Sequence, residues 1–400
     1  MKKALAYLLL AVLTLACDRF SDPYAEQLSP VTLHPVFPQG ESPASGYLVR
    51  MENISTGAVW KAESKEAAPM TVKLPGGVFR FTVRARQGAM VWNGMADRVI
   101  VSGAPVTVEF PMQGSESSPL VVKELYIGGC SKAPEEGTWQ SDQYVLLHNN
   151  ASEPFYLDGL CFGTLTPYNS NAVNRWLGED GSLPPFAPVV TVVWKFPGGG
   201  TDHPLQPGED ALVALRGAID HTAQYPLSVN LNRAECWVCY SPTYFPNEIY
   251  HPAPGDQVRP DHYLEVAIKT GQANANVVSV TSPAFLVFRP EGMTIEEYLL
   301  DPSVVVDTPG SSVDRVVKVP YEWVLDAVEV FDGRSTSNGK RLPASLDAGF
   351  VTQSEPFKGH SLLRLVDEEA TAVSGFVVLQ DTNNSSEDFY ERETATLHTP

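Results

Sequence analysis

Five cysteines are the residues of this sequence best suited to chemistry. Cys17 follows two lysines near the start and an apolar run over residues 4–16, which is too short to span a bilayer. A basic start, a short apolar run and small residues before a cysteine are typical of an export signal that is cut at that cysteine. The pattern predicts a bacterial lipoprotein with a signal peptide over residues 1–16, a lipid on Cys17 and a tether over residues 17–29.

The remaining four cysteines predict two disulfides, because an even number of cysteines in an exported chain is usually oxidised. The favoured pairs are Cys130 with Cys161 and Cys236 with Cys239. Residues 236–239 also form a Cys-x-x-Cys motif, which leaves a zinc site or a redox pair as the alternatives. A four-thiolate zinc site would need a second close pair, and a redox pair would need a βαβ pattern that the sequence does not show.

Histidines and aromatic residues supply further candidate ligand-binding groups. His203 and His221 each follow an aspartate in a predicted loop, and imidazole with carboxylate can bind Zn, Cu or Fe. A metal ion is therefore a possible cofactor, although no fixed ligand spacing accompanies these histidines and each could be a polar turn residue. Trp237, Tyr240 and Tyr244 lie in or beside predicted loops. They could stack on sugars or flat ligands, or they could pack in the core.

Common catalytic signatures are absent from the sequence. It has no Gly-x-Ser-x-Gly elbow, no His-Glu-x-x-His pair and no phosphate-binding Gly-x-x-x-x-Gly-Lys run. A glycosidase would need two positioned carboxylates, and nothing selects two among the 47 acidic residues. We therefore predict no catalytic residue and expect a binding protein rather than an enzyme.

Composition narrows the fold and the partners. The 400-residue chain has a formal charge of −19, which disfavours nucleic acid and an anionic bilayer surface because both require a positive field. Membrane contact should therefore come from the lipid on Cys17. The 33 prolines and 30 glycines are spread along the chain without a period, which favours many short strands joined by turns. The composition predicts an all-β protein with more than one domain.

The first predicted domain is a small immunoglobulin-like β-sandwich over residues 30–113. Strict alternation of apolar and polar residues over Val78–Arg86 predicts a half-buried strand, and Leu74–Gly77 predicts the turn before it. Val72 and Leu74 indicate the partner strand. The turn and the aromatic strand resemble carboxypeptidase-regulatory-like and collagen-adhesin B-type modules, which implies a stalk or spacer.

A polar segment over residues 114–119 predicts a domain boundary, and a larger domain is expected over residues 120–400. Its strands and turns resemble those of the lamin-tail domain. The segments that carry this resemblance are Val122–Tyr126, Asp142–Asn150, Phe155–Leu160 and Leu205–Ala214. The resemblance implies a lamin-tail-like β-sandwich with insertions.

The last third of the sequence predicts fewer elements. Met293–Leu300 has helical spacing with Thr294 as its N-cap. Tyr321–Val330 fits a helix or a strand, and Gly375–Leu379 predicts a late strand. In the turn that follows, Asp and Asn side chains could cap the backbone, or the turn could hold Ca²⁺. The Ca²⁺ ligands would be Asp381, Asn383 and Glu387.

A second resemblance covers nearly the whole chain after the signal peptide. Besides the cysteine signal and the small β-module, it rests on Tyr156–Leu160, Pro197–Asp202 and Gln380–Phe389. These motifs resemble a Bacteroidetes family of uncharacterised lipoproteins. The resemblance implies an outer-membrane or surface lipoprotein encoded near a TonB-dependent receptor, and it brings no catalytic residues.

These patterns favour a ligand-capturing or accessory lipoprotein that works with an outer-membrane TonB-dependent receptor. A tether would raise the effective concentration of the captured ligand beside that receptor. The cell surface is favoured over the periplasmic face, although only two acidic residues closely follow Cys17. The alternatives are an adhesin or structural envelope protein, and a hydrolase whose site the sequence does not identify.

Overall fold

The computed structural model describes residues 28–41, 43, 46–87, 90–311 and 313–398. The predicted signal peptide and Cys17 lie outside these ranges. None of the helices within them is long and apolar enough to cross a membrane. The described chain is nearly all β-structure arranged in several sheets, which confirms the predicted all-β fold.

The N-terminal part forms a small β-sandwich of two sheets. Its strands are β1 Ser29–Val36, β2 Tyr47–Asn53, β3 Val59–Ser64, β4 Met70–Leu74, β5 Gly77–Gln87, β6 Met90–Val101, β7 Val106–Pro111 and β8 Gln113–Glu116. One sheet has the order β4-β1-β7, and the other has the order β3-β2-β5-β6-β8. Strand β1 runs antiparallel to β4 and parallel to β7.

The apolar face predicted for β5 is confirmed, because Phe79, Phe81 and Val83 point into the core between the two sheets and have no exposed surface. The strand is not half-buried as predicted, because Arg80 and Thr82 on its other face are only 4% and 3% exposed. The predicted partner of β5 is wrong. Strand β4, which contains Val72 and Leu74, pairs with β1 in the opposite sheet, and β5 pairs with β2 and β6. The Pro-Gly turn between β4 and β5 thus carries the chain from one sheet to the other.

The rest of the chain forms a larger β-structure. Its strands are β9 Leu120–Tyr126, β10 Cys130–Ser131, β11 Thr138–Trp139, β12 Tyr144–Asn149, β13 Phe155–Tyr156, β14 Cys161–Leu165, β15 Ala187–Lys195, β16 Pro204–Leu205, β17 Asp210–Ala214, β18 Trp237–Val238, β19 Glu265–Lys269, β20 Ala284–Phe288, β21 Val305–Asp307, β22 Arg315–Val319, β23 Val324–Asp332, β24 Val351–Gln353, β25 Ser361–Arg364 and β26 Phe389–Arg392. Tyr321–Val330 is thus mainly strand.

Two sheets enclose the main core of this larger part. One has the order β18-β17-β12-β9-β25-β26, and the other has the order β21-β22-β15-β14-β20-β23-β24 with β19 paired to β15. Both faces of the central strands are buried. In β12, for example, Val145 and Leu147 face the main core, whereas Tyr144 and Leu146 face a second core under the loops after β17.

Short helices lie among these strands. They are α1 Ile295–Tyr298, α2 Glu368–Ser374 and α3 Ser385–Asp388, with 3₁₀ turns at His221–Ala223, Pro260–His262, Pro302–Val304 and Tyr321–Trp323. Thr294 caps α1, as predicted. The predicted strand at Gly375–Leu379 is wrong. Gly375, with φ 80°, ends α2, and Leu379 forms only an isolated bridge to Val366.

The turn after Leu379 is stabilised by its own side chains. Asp388 accepts hydrogen bonds from the Thr382 amide at 2.9 Å and hydroxyl at 2.8 Å, and Asn384 accepts from the Ser386 amide at 3.1 Å. Asp381 lies 3.4 Å from the guanidinium of Arg364. This arrangement agrees with the capping alternative for the turn.

Candidate functional site

An open cleft of about 520 Å³ lies where the β10–β11 hairpin meets the loops that follow β17. We call it the aromatic cleft and define it by Lys132, Trp139, His221, Tyr225 and Tyr250. Its volume falls in the range of small-molecule sites, which is roughly 300 to 1,000 Å³.

The β10–β11 hairpin places Trp139 in this cleft. Cys130 pairs with Trp139 and Ser131 pairs with Thr138, so the indole stands at the end of a two-residue ladder. Gly129 begins the hairpin with φ 68°, and a Cβ atom there would lie 2.1 Å from the Trp139 carbonyl oxygen. Only glycine allows this approach of the two strands.

His221 forms one wall and is fixed by two hydrogen bonds. The Trp139 indole N–H donates to Nδ1 at 3.2 Å, and Nε2 lies 2.7 Å from the Gly217 carbonyl oxygen. Because the indole can only donate and the carbonyl can only accept, the imidazole is neutral with its proton on Nε2. Burial lowers the pKa of His221, which is consistent with this neutral form.

The apolar floor of the cleft is built from two rings. Trp139 and Tyr225 lie 4.8 Å apart between ring centroids, and the Lys132 ammonium lies 5.5 Å and 5.2 Å from these two rings. The ammonium is attracted to both ring faces. The cleft therefore offers two aromatic rings, inclined to each other by 43°, with a positive charge over both.

Two other residues that line the cleft are more exposed. Ile249 and Tyr250 are 72% and 42% exposed. Phe357 lies at the edge with φ 64°, a left-handed conformation that is uncommon for an aromatic residue. Backbone strain of this kind concentrates at functional sites.

The structure does not bring the two predicted metal ligands together. His221 uses both ring nitrogens in the hydrogen bonds described above. His203 instead packs edge-on against the ring of Trp237, with 4.9 Å between the ring centroids. Its ring centroid also lies 6.4 Å from that of His262. In the described ranges no three His, Cys, Asp or Glu side chains are placed to hold a metal ion. The predicted His203 and His221 site is therefore not formed.

The predicted disulfides are also not formed, and Cys130, Cys161, Cys236 and Cys239 are all free and buried. Cys236 and Cys239 are three positions apart in extended chain, so their side chains point to opposite faces and lie in different cores. Cys161 faces the core under α1, whereas the Cys130 thiol lies 3.5 Å from Asp142.

The predicted aromatic platform is divided by the fold. Trp237 is 5% exposed and packs in the main core, where the His262 ring stacks on it at 4.0 Å. Tyr240 is half-buried, and its ring stacks on that of His251 with 5.7 Å between the ring centroids. Tyr244 is 45% exposed and stands outside the aromatic cleft. Trp237 is thus a core residue, which agrees with the alternative that these aromatic side chains pack in the core.

Sequence reasoning identified His221 but missed Lys132, Trp139 and Tyr225. Trp139 follows a polar stretch in a short hairpin, which is a local sign of an aromatic residue near the surface. Its contact with His221, however, spans 82 positions along the chain, and no local pattern encodes it.

Residues 206–396 match the family model of proteins of unknown function designated DUF4876. The chain is also similar to the crystal structure of a DUF4876 family protein from Bacteroides thetaiotaomicron VPI-5482. The TM-score is 0.59 at 25% identity, with 92% of this chain and 96% of that chain covered. No curated protein matches the chain. The likeness to a Bacteroides protein of a family without known function agrees with the coarser part of the predicted resemblance, and the matched residues include His221, Tyr225 and Tyr250.

Proposed function

We propose that this protein captures a small ligand in the aromatic cleft, as a lipid-anchored component beside an outer-membrane TonB-dependent receptor. The observation that carries the proposal is the pair of aromatic rings of Trp139 and Tyr225 among the lining residues of an open cleft of small-molecule size. Rings of this kind stack on the flat faces of sugars and aromatic compounds. Polar side chains at the rim, among them Gln140 and Gln224, supply groups that can fix the orientation of such a ligand.

Binding is favoured over catalysis because the imidazole and the carboxylate that line the cleft, those of His221 and Asp220, are already engaged. His221 is neutral and holds two hydrogen bonds. Asp220 accepts from the Thr222 amide at 3.0 Å and from the Thr222 hydroxyl at 2.5 Å, which caps the 3₁₀ turn at His221–Ala223. A general acid or base needs a free proton-transfer position, and these two groups do not offer one.

The proposed location rests on the sequence. The apolar run before Cys17 supports lipid attachment, and the likeness to a Bacteroides protein supports a Bacteroidetes-type envelope. A lipid anchor and a ligand cleft in one chain would concentrate the ligand near a receptor in the same membrane.

Trp139→Ala tests the cleft directly. We expect ligand affinity to fall about tenfold or more, because a lost ring-stacking contact is worth on the order of 1.4 kcal/mol. The measurement is isothermal titration calorimetry of the mature protein with a panel of monosaccharides, disaccharides and aromatic carboxylates.

Tyr244→Ala is the matched control, since this ring is exposed but lies outside the cleft. Its affinities should equal those of the wild type. Equal losses in both variants, or no loss in Trp139→Ala, would exclude the aromatic cleft as the binding site. Crosslinks from the cleft to another envelope protein, without any bound ligand, would favour the adhesin alternative.

A further inference from the structure

Two cavities lie at the interface between the small sandwich and the larger part of the chain. Their volumes are about 290 and 320 Å³, and neither shares a lining residue with the aromatic cleft. The small sandwich supplies Leu48, Glu63 and Arg84 to both cavities, and we call these three residues the interface site. From the larger part, Glu387 lines the first cavity and Thr382 lines the second. Ligand pockets are common at such interfaces.

Strand pairing sets the order of the three residues in the interface site. Leu48 on β2 lies opposite Glu63 on β3 and opposite Arg84 on β5. Residues directly opposite each other project from the same face of a sheet. This face is the outer one, because Tyr47 and Val49, the neighbours of Leu48 in β2, point into the core of the small sandwich. The carboxylate and the guanidinium therefore flank an apolar side chain, and their Cα atoms lie about 10 Å apart across the three strands.

The two charged side chains of the interface site have no partner. Among the described residues, no ion pair and no hydrogen bond involves the carboxylate of Glu63 or the guanidinium of Arg84. On the same face of the sheet, by contrast, Arg50 lies 2.6 Å from Glu52. The sheet thus pairs charges where it can, and it leaves one cation and one anion unpaired beside the cavities.

A ligand in either cavity can reach both charged groups. Arg84 is half-buried and Glu63 is exposed, and each lines both cavities. Leu48 between them is 43% exposed. Elsewhere in the first cavity, Lys61 and Glu387 lie 3.8 Å apart, so that their charges offset each other. The wall that the two cavities share therefore offers a free cation, a free anion and an apolar surface between them.

We infer that the interface site binds a small zwitterion, namely an amino acid or a short peptide with free termini. The carboxylate of the ligand pairs with Arg84, because the planar fork of a guanidinium matches two carboxylate oxygens. The ammonium of the ligand pairs with Glu63, and its apolar part covers Leu48. A neutral ligand, or a ligand of one charge only, would leave at least one of these groups unpaired. This second ligand site does not depend on the aromatic cleft.

The dipeptide leucyl-leucine tests the inference in three forms: with free termini, with an acetylated amino terminus and with an amidated carboxyl terminus. Isothermal titration calorimetry of the mature protein measures the affinity for each form. We expect the wild type to bind the free form at least about tenfold more tightly than either capped form, because each cap removes one charge-assisted contact. The same titrations with leucine and with trileucine distinguish a site for a single amino acid from a site for a peptide.

Two substitutions assign the two charges. Arg84→Gln should abolish the preference for the free form over the amide and keep the preference over the acetylated form. Glu63→Gln should do the reverse. The matched control is Arg98→Gln, which removes an exposed arginine of β6 outside both cavities and should bind all three forms as the wild type does.

Thermal unfolding shows whether the two charged residues are structural. Neither Arg84→Gln nor Glu63→Gln removes a contact of the folded protein, so both should unfold at the wild-type temperature. A lower Tm of either variant would overturn the inference, since that residue would then have a structural role. So would a wild type that binds the three forms equally or binds none of them.

Trp139→Ala separates this inference from the proposed function of the aromatic cleft. We expect it to leave the affinity for free leucyl-leucine unchanged, because Trp139 lines neither cavity. Binding that Trp139→Ala abolishes and that Arg84→Gln leaves intact would place the dipeptide in the aromatic cleft. That result would overturn the interface site and support the proposed function.

Discussion

Arg364 is a single buried guanidinium surrounded by three carboxylates. It lies 2.5 Å from Asp326, 3.4 Å from Asp381 and 3.7 Å from Asp388. Burial raises the pKa of Asp326 to about 7 and that of Asp388 to about 6, and the negative charge of Asp381 adds to both shifts against the attraction of Arg364. One cation cannot balance three anions in this interior, so protonation relieves the excess.

Because of this cluster, we expect the protein to become more stable as the pH falls from above the pKa of Asp326, about 7, to below that of Asp388, about 6. In this pH range the two folded carboxyl groups bind protons, whereas an aspartate of the unfolded chain, with a pKa of about 3.9, does not. The gain in stability should end at about pH 4, where the aspartates of the unfolded chain also become protonated. Asp388→Asn should flatten the rise in Tm between about pH 8 and 5, as measured by thermal unfolding.

Asp307→Asn is the control for this prediction, because the Asp307 carboxylate is exposed. It should keep the pH dependence of the wild type. A Tm that changes with pH equally in the wild type and in Asp388→Asn would show that the cluster does not hold the titrating protons.

Elements fixed by local pattern were predictable from the sequence. Strand β5 follows from alternation alone. The cap of α1 follows from Thr294 and Glu297, because the Glu297 amide donates to the Thr294 hydroxyl at 3.2 Å and the Thr294 amide donates to the Glu297 carboxylate at 2.8 Å. Both features depend on neighbours within a few residues.

Elements fixed by distant neighbours were not predictable. Nothing within β4 distinguishes pairing with β5 from pairing with β1, which lies in the opposite sheet. The aromatic cleft has the same character, since Trp139 on strand β11 meets His221 on a 3₁₀ turn that lies 82 positions further along the chain. Likewise, Arg216 is polar in the sequence, and only the fold shows that its side chain is buried.

Strand β18 predicts the state of the cysteines. Because Cys236 and Cys239 flank it on opposite faces, they should be reduced, as should Cys130 and Cys161. Burial raises the pKa of Cys130 and that of Cys236 to about 12 each, which suppresses the reactive thiolate. We expect almost no reaction with Ellman's reagent in the folded protein and four thiols after unfolding in guanidinium without reductant.

Two thiols or none after unfolding would instead support the disulfides expected from the sequence. A lipid-modified Cys17 carries a thioether and would not add to the count. Mass mapping of alkylated peptides identifies which cysteines react.

On the scale of the whole molecule, the two β-structures are joined by polar contacts. Asn93 of the small sandwich donates to the Thr382 carbonyl oxygen at 2.8 Å, and the Ser118 amide donates to Asp381 at 2.7 Å. Arg80 on β5 places its guanidinium 5.0 Å and 4.9 Å from the rings of Phe331 and Phe350. The small sandwich is therefore packed against the larger part at several points.

Arg80→Ala should weaken this docking. Arg80 is 4% exposed, and it also lies 2.9 Å from Asp97, so its loss removes two ring contacts and leaves a carboxylate without its cation. We expect a cost of about 2 to 3 kcal/mol, borne mainly by the small sandwich. In differential scanning calorimetry its unfolding should move to a lower temperature than that of the larger part.

Arg98→Ala, which removes an exposed arginine from the neighbouring strand β6, should leave the calorimetric profile unchanged. Arg80→Lys should lie between the wild type and Arg80→Ala, because an ammonium keeps the charge but cannot lie flat against the rings. If Arg80→Ala unfolds at the wild-type temperature with an unchanged profile, docking depends instead on other contacts between the two parts, such as those of Asn93, Ser118 and Lys61. The double variant Arg80→Ala, Asn93→Ala would then unfold in two separate calorimetric transitions, one for each part, only if the Asn93 contact holds the small sandwich in place.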